Sequence, residues 1–308
     1  MANTENSLLV EKYRPKTLNN YVGNENIKKS ISAYLNQNDI QNFIFYGPAG
    51  TGKTTLAKII VNSLDCDHLY INASDERGIE TIRDKVSSFA SVASFKPLKV
   101  VILDEADFLT IQAQASLRNI IETFSRTTRF IMTCNFVERI IDPLQSRCQV
   151  LKIVPPTKKD VAKHLNWICN EESITHEIND LVPLVNQYYP DLRKCINTIQ
   201  LSTVDGGAND LYLSLDQSVL VSSNYIDKVI TELKGKADFK TIRQIIADAN
   251  IDDFDELFKS LYERASEYLQ NKEGTAAILI NEHQYKANFR IDKEINTMSL
   301  IQNLINNK

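Results

Sequence analysis

Residues 47–54 read Gly-Pro-Ala-Gly-Thr-Gly-Lys-Thr and match the phosphate-loop template G-x-x-x-x-G-K-[ST] at every position. The apolar residues 43–46 before the loop predict a buried strand, and the residues after Thr54 predict the first turns of a helix. Glycines let successive backbone N–H groups point at one anion, to which the helix N-terminus adds a positive dipole. We therefore predict that Lys53 neutralises the β- and γ-phosphates of a nucleotide and that the Thr54 hydroxyl binds Mg²⁺. A strand-helix turn without a ligand is the alternative, and the agreement of motif and context disfavours it.

The composition is that of an ordinary globular protein with two or three domains. The chain has 308 residues, of which 43% are hydrophobic and 24% charged, and its net charge is −4. This charge argues against a generally basic nucleic-acid coat and leaves room for a local basic groove. No apolar run is long enough to cross a bilayer, which predicts a cytoplasm-like compartment. Five scattered cysteines and four isolated histidines predict buried, reduced thiols rather than a metal site or a disulfide framework.

Three blocks are predicted along the chain: an α/β domain at 1–154, a helical block at 155–218 and a second helical block at 219–308. In the first block, short apolar strands alternate with helical stretches, which indicates a parallel sheet covered by helices on both faces. The predicted strands are 43–46, 68–72, 100–104, 130–134 and 150–152.

The boundary after the first block is marked by Pro155-Pro156, because a proline pair continues neither a strand nor a helix. Thr157 then is a predicted N-cap. Helical spacing of apolar residues predicts that the second and third blocks are wholly helical. Gly206-Gly207 and the polar residues after it mark the softer boundary between these two blocks.

A second chemical signal is the run 100–107, Val-Val-Ile-Leu-Asp-Glu-Ala-Asp, in which a buried strand ends in carboxylates. Ligands bind at this edge of parallel sheets. We expect Asp104 to lie beside Thr54 and hold Mg²⁺ through water, and Glu105 to polarise an attacking water. A solvated pair at a strand end is the alternative, which the phosphate loop about fifty residues upstream disfavours.

Four further polar residues, at three places in the sequence, are weaker candidates. Thr133 or Asn135, at the tip of another apolar strand, is expected to orient the water or touch the γ-phosphate, or else to be a hydrogen-bonded strand end. Arg147 carries the permanent planar charge that stabilises a transferring phosphoryl group, on its own or another subunit's ATP, although a surface charge is the alternative. Arg193 is either a group that folds over the triphosphate or a solvated helix charge.

Together these segments resemble the AAA+ ATPases of the sliding-clamp loader branch, namely the replication factor C small subunits and the equivalent subunit of T4-like phages. The resemblance begins with Glu-Lys-Tyr-Arg-Pro-Lys-Thr-Leu at 11–18, which is close to diagnostic for that branch. It includes Asn-Ala-Ser-Asp-Glu-Arg-Gly-Ile at 72–79 and Asp-Pro-Leu-Gln-Ser-Arg-Cys at 142–148. It ends near residue 200, and the short remainder favours the phage form.

The resemblance implies roles for individual residues. The implied catalytic residues are Glu105, Lys53, Asn135, Arg193 and, acting in trans on a neighbour's ATP, Arg147. The implied metal ligands are Thr54 and Asp104. DNA contacts are implied for Arg77, Arg83 and Lys85, and inter-subunit coupling for Arg118. The implied ATP-binding residues are Tyr13, Arg14, Pro15, Val22, Gly23, Gly47, Pro48, Ala49, Gly50, Thr51, Gly52, Lys53, Thr54, Thr55 and Arg193.

The resemblance also implies an activity and partners. We expect a DNA-stimulated ATP hydrolase that uses ATP and Mg²⁺ within a five-subunit spiral, held together by a collar built from the third block. The spiral opens a ring-shaped clamp at primer-template DNA, without sequence preference, and hydrolysis releases the clamp to serve DNA polymerase. Either four copies join one different subunit or several paralogues assemble. The expected location is the cytoplasm, the host cytoplasm for a viral protein or the nucleus for a eukaryotic one.

Two alternatives stay open at this point. The first is a different AAA+ remodeller, such as a Holliday-junction helicase, which would form a closed hexamer. The second is a clamp-loader scaffold subunit that binds nucleotide or DNA without hydrolysis.

Overall fold

The computed structural model describes residues 8–205, 211–213, 217–235, 238–249, 254–287 and 292–307. The chain divides into two compact units, Met1–Leu213 and Ser214–Lys308. Among the described residues, none of the helices has the length and apolar character that spanning a bilayer requires.

The first unit is built on a five-stranded parallel sheet with strand order β2-β3-β4-β1-β5. Every residue of β3 is buried, as expected for a strand that is covered on both faces. The predicted α/β class is confirmed, and four of the five strands begin one or two residues before the predicted position. The strands are β1 Phe43–Tyr46, β2 Cys66–Asn72, β3 Leu98–Asp104, β4 Thr128–Cys134 and β5 Gln149–Lys152.

Helices cover both faces of this sheet and form two separate cores. One core contains Phe43, Leu56 and Ile102, and the other contains Leu103, Leu117 and further apolar side chains. The helices are α1 Leu9–Lys12, α2 Glu25–Asn36, α3 Lys53–Ser63, α4 Ile79–Thr81, α5 Ser87–Ser91, α6 Ile111–Thr123 and α7 Asp142–Gln145. A π-helical turn spans Ile82–Val86, and 3₁₀ turns span Ala106–Phe108 and Val137–Arg139.

A helical lid completes the first unit. Its helices are α8 Lys158–Glu171, α9 Ile178–Tyr188 and α10 Leu192–Ser202. The Thr157 side chain accepts a hydrogen bond from the Asp160 N–H, which confirms the predicted N-cap. The prediction of a wholly helical block is wrong, because a small sheet with order β6-β8-β7 accompanies these helices. Its strands have two or three residues, too few to show an alternating pattern: β6 Ile174–Thr175, β7 Thr203–Asp205 and β8 Leu211–Leu213.

The second unit is helical throughout its described residues, as predicted for the third block. Its core packs the side chains of Val229, Ile242, Leu257 and Leu300. The boundaries at 154 and 218 stay predictions, and Gly206-Gly207 lies outside the described residues. The helices are α11 Gln217–Lys234, α12 Phe239–Ala249, α13 Asp255–Glu263, α14 Ala265–Tyr268, α15 Glu273–Ala287 and α16 Lys293–Asn306.

Candidate nucleotide-binding site

The phosphate loop joins β1 to α3 and is packed closely on two sides. Gly50 has φ +72°, and a Cβ there would lie 2.0 Å from Asp191 Oδ1 of the lid. Gly52 has φ +90°, and a Cβ there would lie 2.9 Å from the Tyr21 ring. Glycine is therefore required at both positions, by backbone conformation and by space.

Lys53, the first residue of α3, is buried with its ammonium group inside the loop. Its Nζ donates to Gly47 O, Pro48 O and Asn135 Oδ1, each at 2.8 Å. Burial lowers the pKa of Lys53, since a charge loses hydration in this position. The loop lysine and the polar tip of β4 thus meet at one point, as expected from the sequence.

Asp104 ends β3 and is only 8% exposed. Its Oδ1 accepts hydrogen bonds from the Thr54 hydroxyl at 2.7 Å and from the Thr133 hydroxyl. The Glu105 N–H donates to Thr133 Oγ1 at 3.1 Å, and Glu105 itself has a left-handed φ of 54°. The Thr133 hydroxyl is therefore engaged in hydrogen bonds to Asp104 and Glu105 at the end of β3. Of the two candidates at the end of β4, Asn135 remains the one for orienting water.

Tyr70 of β2 is a functional candidate that the sequence did not reveal. Its hydroxyl donates to Asp104 Oδ2 at 2.7 Å, and the Lys58 Nζ lies 5.0 Å from its ring centroid. Burial and this hydrogen bond raise the pKa of Tyr70, which keeps the phenol protonated and able to donate.

The loop after β4 is held by a buried carboxylate. Asp107 Oδ2 accepts the backbone N–H groups of Asn135 and Phe136, both at 3.2 Å. This arrangement fixes the backbone on which the Asn135 side chain is carried, and so fixes its distance from Lys53.

The residues predicted for the base belong, with one exception, to the same cleft. Tyr13, Arg14, Pro15 and Val22 line it together with residues 49–55, whereas Gly47 and Pro48 do not. Gly23 does not line the cleft, because it packs against Pro156, where a Cβ would lie 3.3 Å from the proline. Further lining residues that the sequence did not mark are Val10, Tyr21, Cys134, Pro156, His164, Leu192 and Ile196.

The N-terminal segment is bound to the lid through Glu172. The Glu172 carboxylate accepts a hydrogen bond of 2.5 Å from the Tyr13 hydroxyl and lies 2.7 Å from Lys12 Nζ. The Tyr13 ring also meets the Trp167 ring edge-on, with centroids 5.2 Å apart. Although burial acts in the opposite direction, the hydrogen bonds from Lys12 and Tyr13 lower the pKa of Glu172.

Arg193 and Arg147 occupy different surroundings. Arg193, in the first turn of α10, lines the cleft. Arg147 does not line it, and its guanidinium is held by Glu122 of α6, whose Oε1 accepts from Nε at 2.6 Å and also from Nη2. Its Nη1 donates to Pro143 O at 2.7 Å. The Arg147 guanidinium therefore lies outside this chain's own cleft.

The predicted DNA-contacting residues lie in one segment after β2. The Arg77 Nε donates to Ser74 O at 2.8 Å, and Lys85 pairs with Glu76 at 2.7 Å. Arg83 is exposed. Arg77 precedes α4, and the other two residues lie in the π-helical turn. Arg118 is exposed on α6.

Thr54 and Asp104 fit a divalent cation that also binds phosphate. No group of three or more His, Cys, Asp or Glu side chains is placed to hold a metal among the residues that the structure describes. Mg²⁺ commonly binds through one or two carboxylates, substrate phosphates and water, so one carboxylate beside a hydroxyl is a suitable donor set. Phosphate and water would supply the remaining ligands.

The fold and the cleft define a class of protein. A phosphate loop after β1, an acidic pair after β3, a polar residue after β4 and a helical lid are the parts of an AAA+ ATPase. The family model "ATPase family associated with various cellular activities (AAA)" matches residues 43–156. A solved RuvB from Thermotoga maritima has a TM-score of 0.59 at 18% identity, over 87% of this chain and 85% of that chain. A second, described as a Holliday junction branch migration motor, has a TM-score of 0.55 at 19% identity. Both show the shared fold.

Sequence relatives identify the family within this class. A replication factor C small subunit from Natronomonas pharaonis is 37% identical over 82% of this chain and 82% of its own. Another, from Halobacterium salinarum, is 34% identical over 96% of this chain and 94% of its own. A third, from Haloarcula marismortui, is 43% identical over 65% of this chain and 64% of its own. The chain belongs to the replication factor C small subunit family, the AAA+ ATPases of sliding-clamp loaders. The predicted family is confirmed, whereas these archaeal relatives give no support to the phage form.

Proposed function

We propose that this chain binds ATP with Mg²⁺ in the cleft and hydrolyses it, under stimulation by DNA, as one subunit of a clamp loader. One observation carries the proposal: groups suited to base, phosphate, metal and water line a single cleft. Tyr13 and Val22, which suit a base, line it together with Lys53, Asp104 and Glu105, which suit phosphate, metal and water. An assembly of the proposed kind would use the segments 1–154, 155–218 and 219–308 as ATPase domain, lid and collar.

The chain's own residues supply the steps of hydrolysis. Backbone N–H groups of the phosphate loop hold the β- and γ-phosphates, and the Lys53 ammonium exchanges its carbonyl partners for phosphate oxygens. Thr54 and Asp104 would hold Mg²⁺, which when bound neutralises charge on the phosphates. Glu105 takes a proton from the attacking water, which Asn135 helps to orient. Arg193 closes over the triphosphate from the lid.

Arg147 is proposed to act on the ATP of a neighbouring subunit. Its guanidinium lies outside the chain's own cleft, and its charge is partly balanced by Glu122 at the molecular surface. In related phosphoryl transfers, a permanent positive charge that reaches the γ-phosphate from a neighbouring subunit stabilises the transition state and raises the rate of hydrolysis by about 10³-fold or more. Hydrolysis would then require assembly, which links turnover to the clamp and to DNA.

DNA and clamp are the proposed partners. Arg77, Arg83 and Lys85 lie within nine residues of each other, on the segment between β2 and α5. Contacts from such side chains to phosphate give binding without sequence preference, as loading at any primer-template junction requires.

A complementation experiment tests the proposed catalytic site. Lys53→Ala and Arg147→Ala proteins are each assembled with the clamp-loader partners, clamp and primed DNA, and their steady-state ATPase rates are measured. Each variant alone should lose nearly all activity, and a mixture of the two should regain part of it, because some interfaces combine an intact loop with an intact Arg147. Arg126→Ala, a change of another exposed arginine, is the control.

If Arg147 serves its own cleft, no interface in the mixture is complete and no activity returns. That result refutes the action in trans. Absence of ATP turnover in the wild-type assembly with clamp and primed DNA refutes the ATPase proposal as a whole.

The DNA contacts are tested by salt dependence. For each phosphate contact removed, the slope of log K against log[salt] should fall by about 0.9. Arg83→Ala, Arg77→Ala and Lys85→Ala are compared with Lys240→Ala, a change on α12 of the second unit. A slope that is unchanged in all three variants refutes the proposed DNA surface.

A further inference from the structure

We propose that Tyr70 is a positioning residue for the metal site, whose hydroxyl fixes the orientation of the Asp104 carboxylate that binds Mg²⁺. The inference rests on the proposed function and deepens it, because it assigns a role to a side chain outside the AAA+ sequence motifs.

The two oxygens of Asp104 have different partners. Oδ1 accepts from Thr54 and Thr133, which lie on α3 and β4. Oδ2 accepts from Tyr70, at 2.7 Å. The carboxylate is therefore held from three elements, and Tyr70 is the partner that holds Oδ2 and so limits rotation about the Cβ–Cγ bond.

The register of the sheet explains how the tyrosine reaches this position. Tyr70 pairs with Ile102, so Asp104 lies two residues further along the neighbouring parallel strand, on the same face of the sheet. A tyrosine side chain is long enough to place its hydroxyl at that carboxylate, and Tyr70 is also close enough to the surface to be 42% exposed.

The ring of Tyr70 is held in place from α3. Lys58 Nζ lies 5.0 Å from the ring centroid, a distance suited to a cation–π contact. Lys58 lies four residues after Thr54, so both side chains project from the same face of that helix. Tyr70 thus connects the helix that carries the phosphate loop with the carboxylate at the end of β3.

A donor to a metal-binding carboxylate typically affects metal affinity by about 10- to 100-fold. Since Tyr70 is partly exposed and one of three donors, we expect an effect at the lower end of this range. Loss of the Tyr70 hydroxyl should lower the affinity for Mg²⁺ and leave the affinity for nucleotide in the absence of metal unchanged.

The experiment compares wild type with Tyr70→Phe, which removes only the hydroxyl. Binding of a fluorescent, non-hydrolysable ATP analogue is titrated with Mg²⁺, and Mn²⁺ affinity in the presence of the analogue is measured by electron paramagnetic resonance. Tyr70→Phe should require about tenfold more Mg²⁺ for half-maximal binding and should bind Mn²⁺ correspondingly weakly. Its affinity for the analogue in EDTA should equal that of wild type. Tyr34→Phe is the matched control, because the Tyr34 hydroxyl has a long 3.5 Å contact to Gln149, which does not line the cleft.

Each other outcome decides against one of the two proposals. An unchanged or lower Mg²⁺ requirement in Tyr70→Phe overturns the role of Tyr70, since the hydroxyl then is neutral or competes with the metal. An equal loss of affinity with and without Mg²⁺ also overturns it, because the tyrosine would then support the phosphate loop. If the wild type binds the analogue no more tightly with Mg²⁺ than in EDTA, the proposed metal site is overturned instead, and if it does not bind the analogue at all, the proposed nucleotide site is overturned.

Discussion

Gly50→Ala is expected to separate the lid from the phosphate loop. The residue has φ +72°, a conformation that costs a non-glycine residue about 1–2 kcal/mol. The added Cβ would lie 2.0 Å from Asp191 Oδ1 and 3.0 Å from Asp191 Cα. The Asp191 side chain must therefore move. Because Asp191 Oδ1 accepts the Lys194 N–H at 3.1 Å, this movement removes the N-cap of α10.

The loss of stability follows from two contributions, the backbone strain at residue 50 and the loss of the Asp191 N-cap. Loss of an aspartate N-cap costs about 1 kcal/mol, which with the backbone strain gives about 2–3 kcal/mol for the whole change. Asp191→Ala alone should cost about 1 kcal/mol. The double variant should cost about 1 kcal/mol less than the sum of the two, because the cap is lost only once and the clash with the carboxylate disappears.

Urea unfolding followed by tryptophan fluorescence measures these differences. Trp167, on α8 of the lid, is the only tryptophan in the chain, so its signal reports the first unit. Gly78→Ala is the control, because a Cβ at Gly78 meets nothing within 4 Å and its φ is −79°. Strict additivity of Gly50→Ala and Asp191→Ala, or a loss no larger than that of the control, would refute the argument that the lid packs on the loop at Gly50.

Three further outcomes are expected. The Glu172 carboxylate has its pKa lowered in the folded chain, so its stabilisation is complete above the ordinary value of 4.5 and is lost as pH falls through the lower folded value. Glu172→Gln should therefore be less stable than wild type by about 1 kcal/mol at pH 7, and urea titrations should show this difference shrinking at acid pH. Glu122→Gln should raise the ATPase rate of the assembled loader by about fivefold, because the charge of Arg147 is then no longer balanced. This factor is the equivalent of an exposed ion pair of ~1 kcal/mol. A fall in the rate would contradict the expectation and indicate that Glu122 orients the arginine. Lys99→Met should lower the free energy of unfolding by about 2 kcal/mol, because the buried Nζ donates to three backbone carbonyls near the end of α5, and a calorimetric scan with no change would contradict it.

The sheet could be predicted because its strands are short apolar runs that end at recognisable turns. Three of the four strand starts that differ from the prediction have a charged residue directly before the apolar run, and the fourth, that of β5, has Gln149. Lys99 belongs to β3 because its ammonium is satisfied by backbone carbonyls, and Arg129 belongs to β4 because its Nε donates to Ile40 O at 2.7 Å. Such partners are distant in sequence, so no local pattern indicates that a lysine or an arginine lies in a strand. The small sheet of the lid escaped prediction for a different reason, since its strands are too short to show any period.

In the candidate site, too, some residues could be predicted from the sequence and others could not. The difference is whether a residue acts through the local backbone or through another side chain. The phosphate loop could be located from the sequence because its function depends on eight consecutive residues and on the strand and helix beside them. Tyr70 and Glu172 had no such signal. The first acts by holding Asp104 across a strand pair, and the second by holding Tyr13 across the gap between the N-terminal segment and the lid. Because these supporting contacts exist only once the register of the sheet and the packing of the lid are set, a substitution at either residue would leave every motif intact while still changing how metal or base is held.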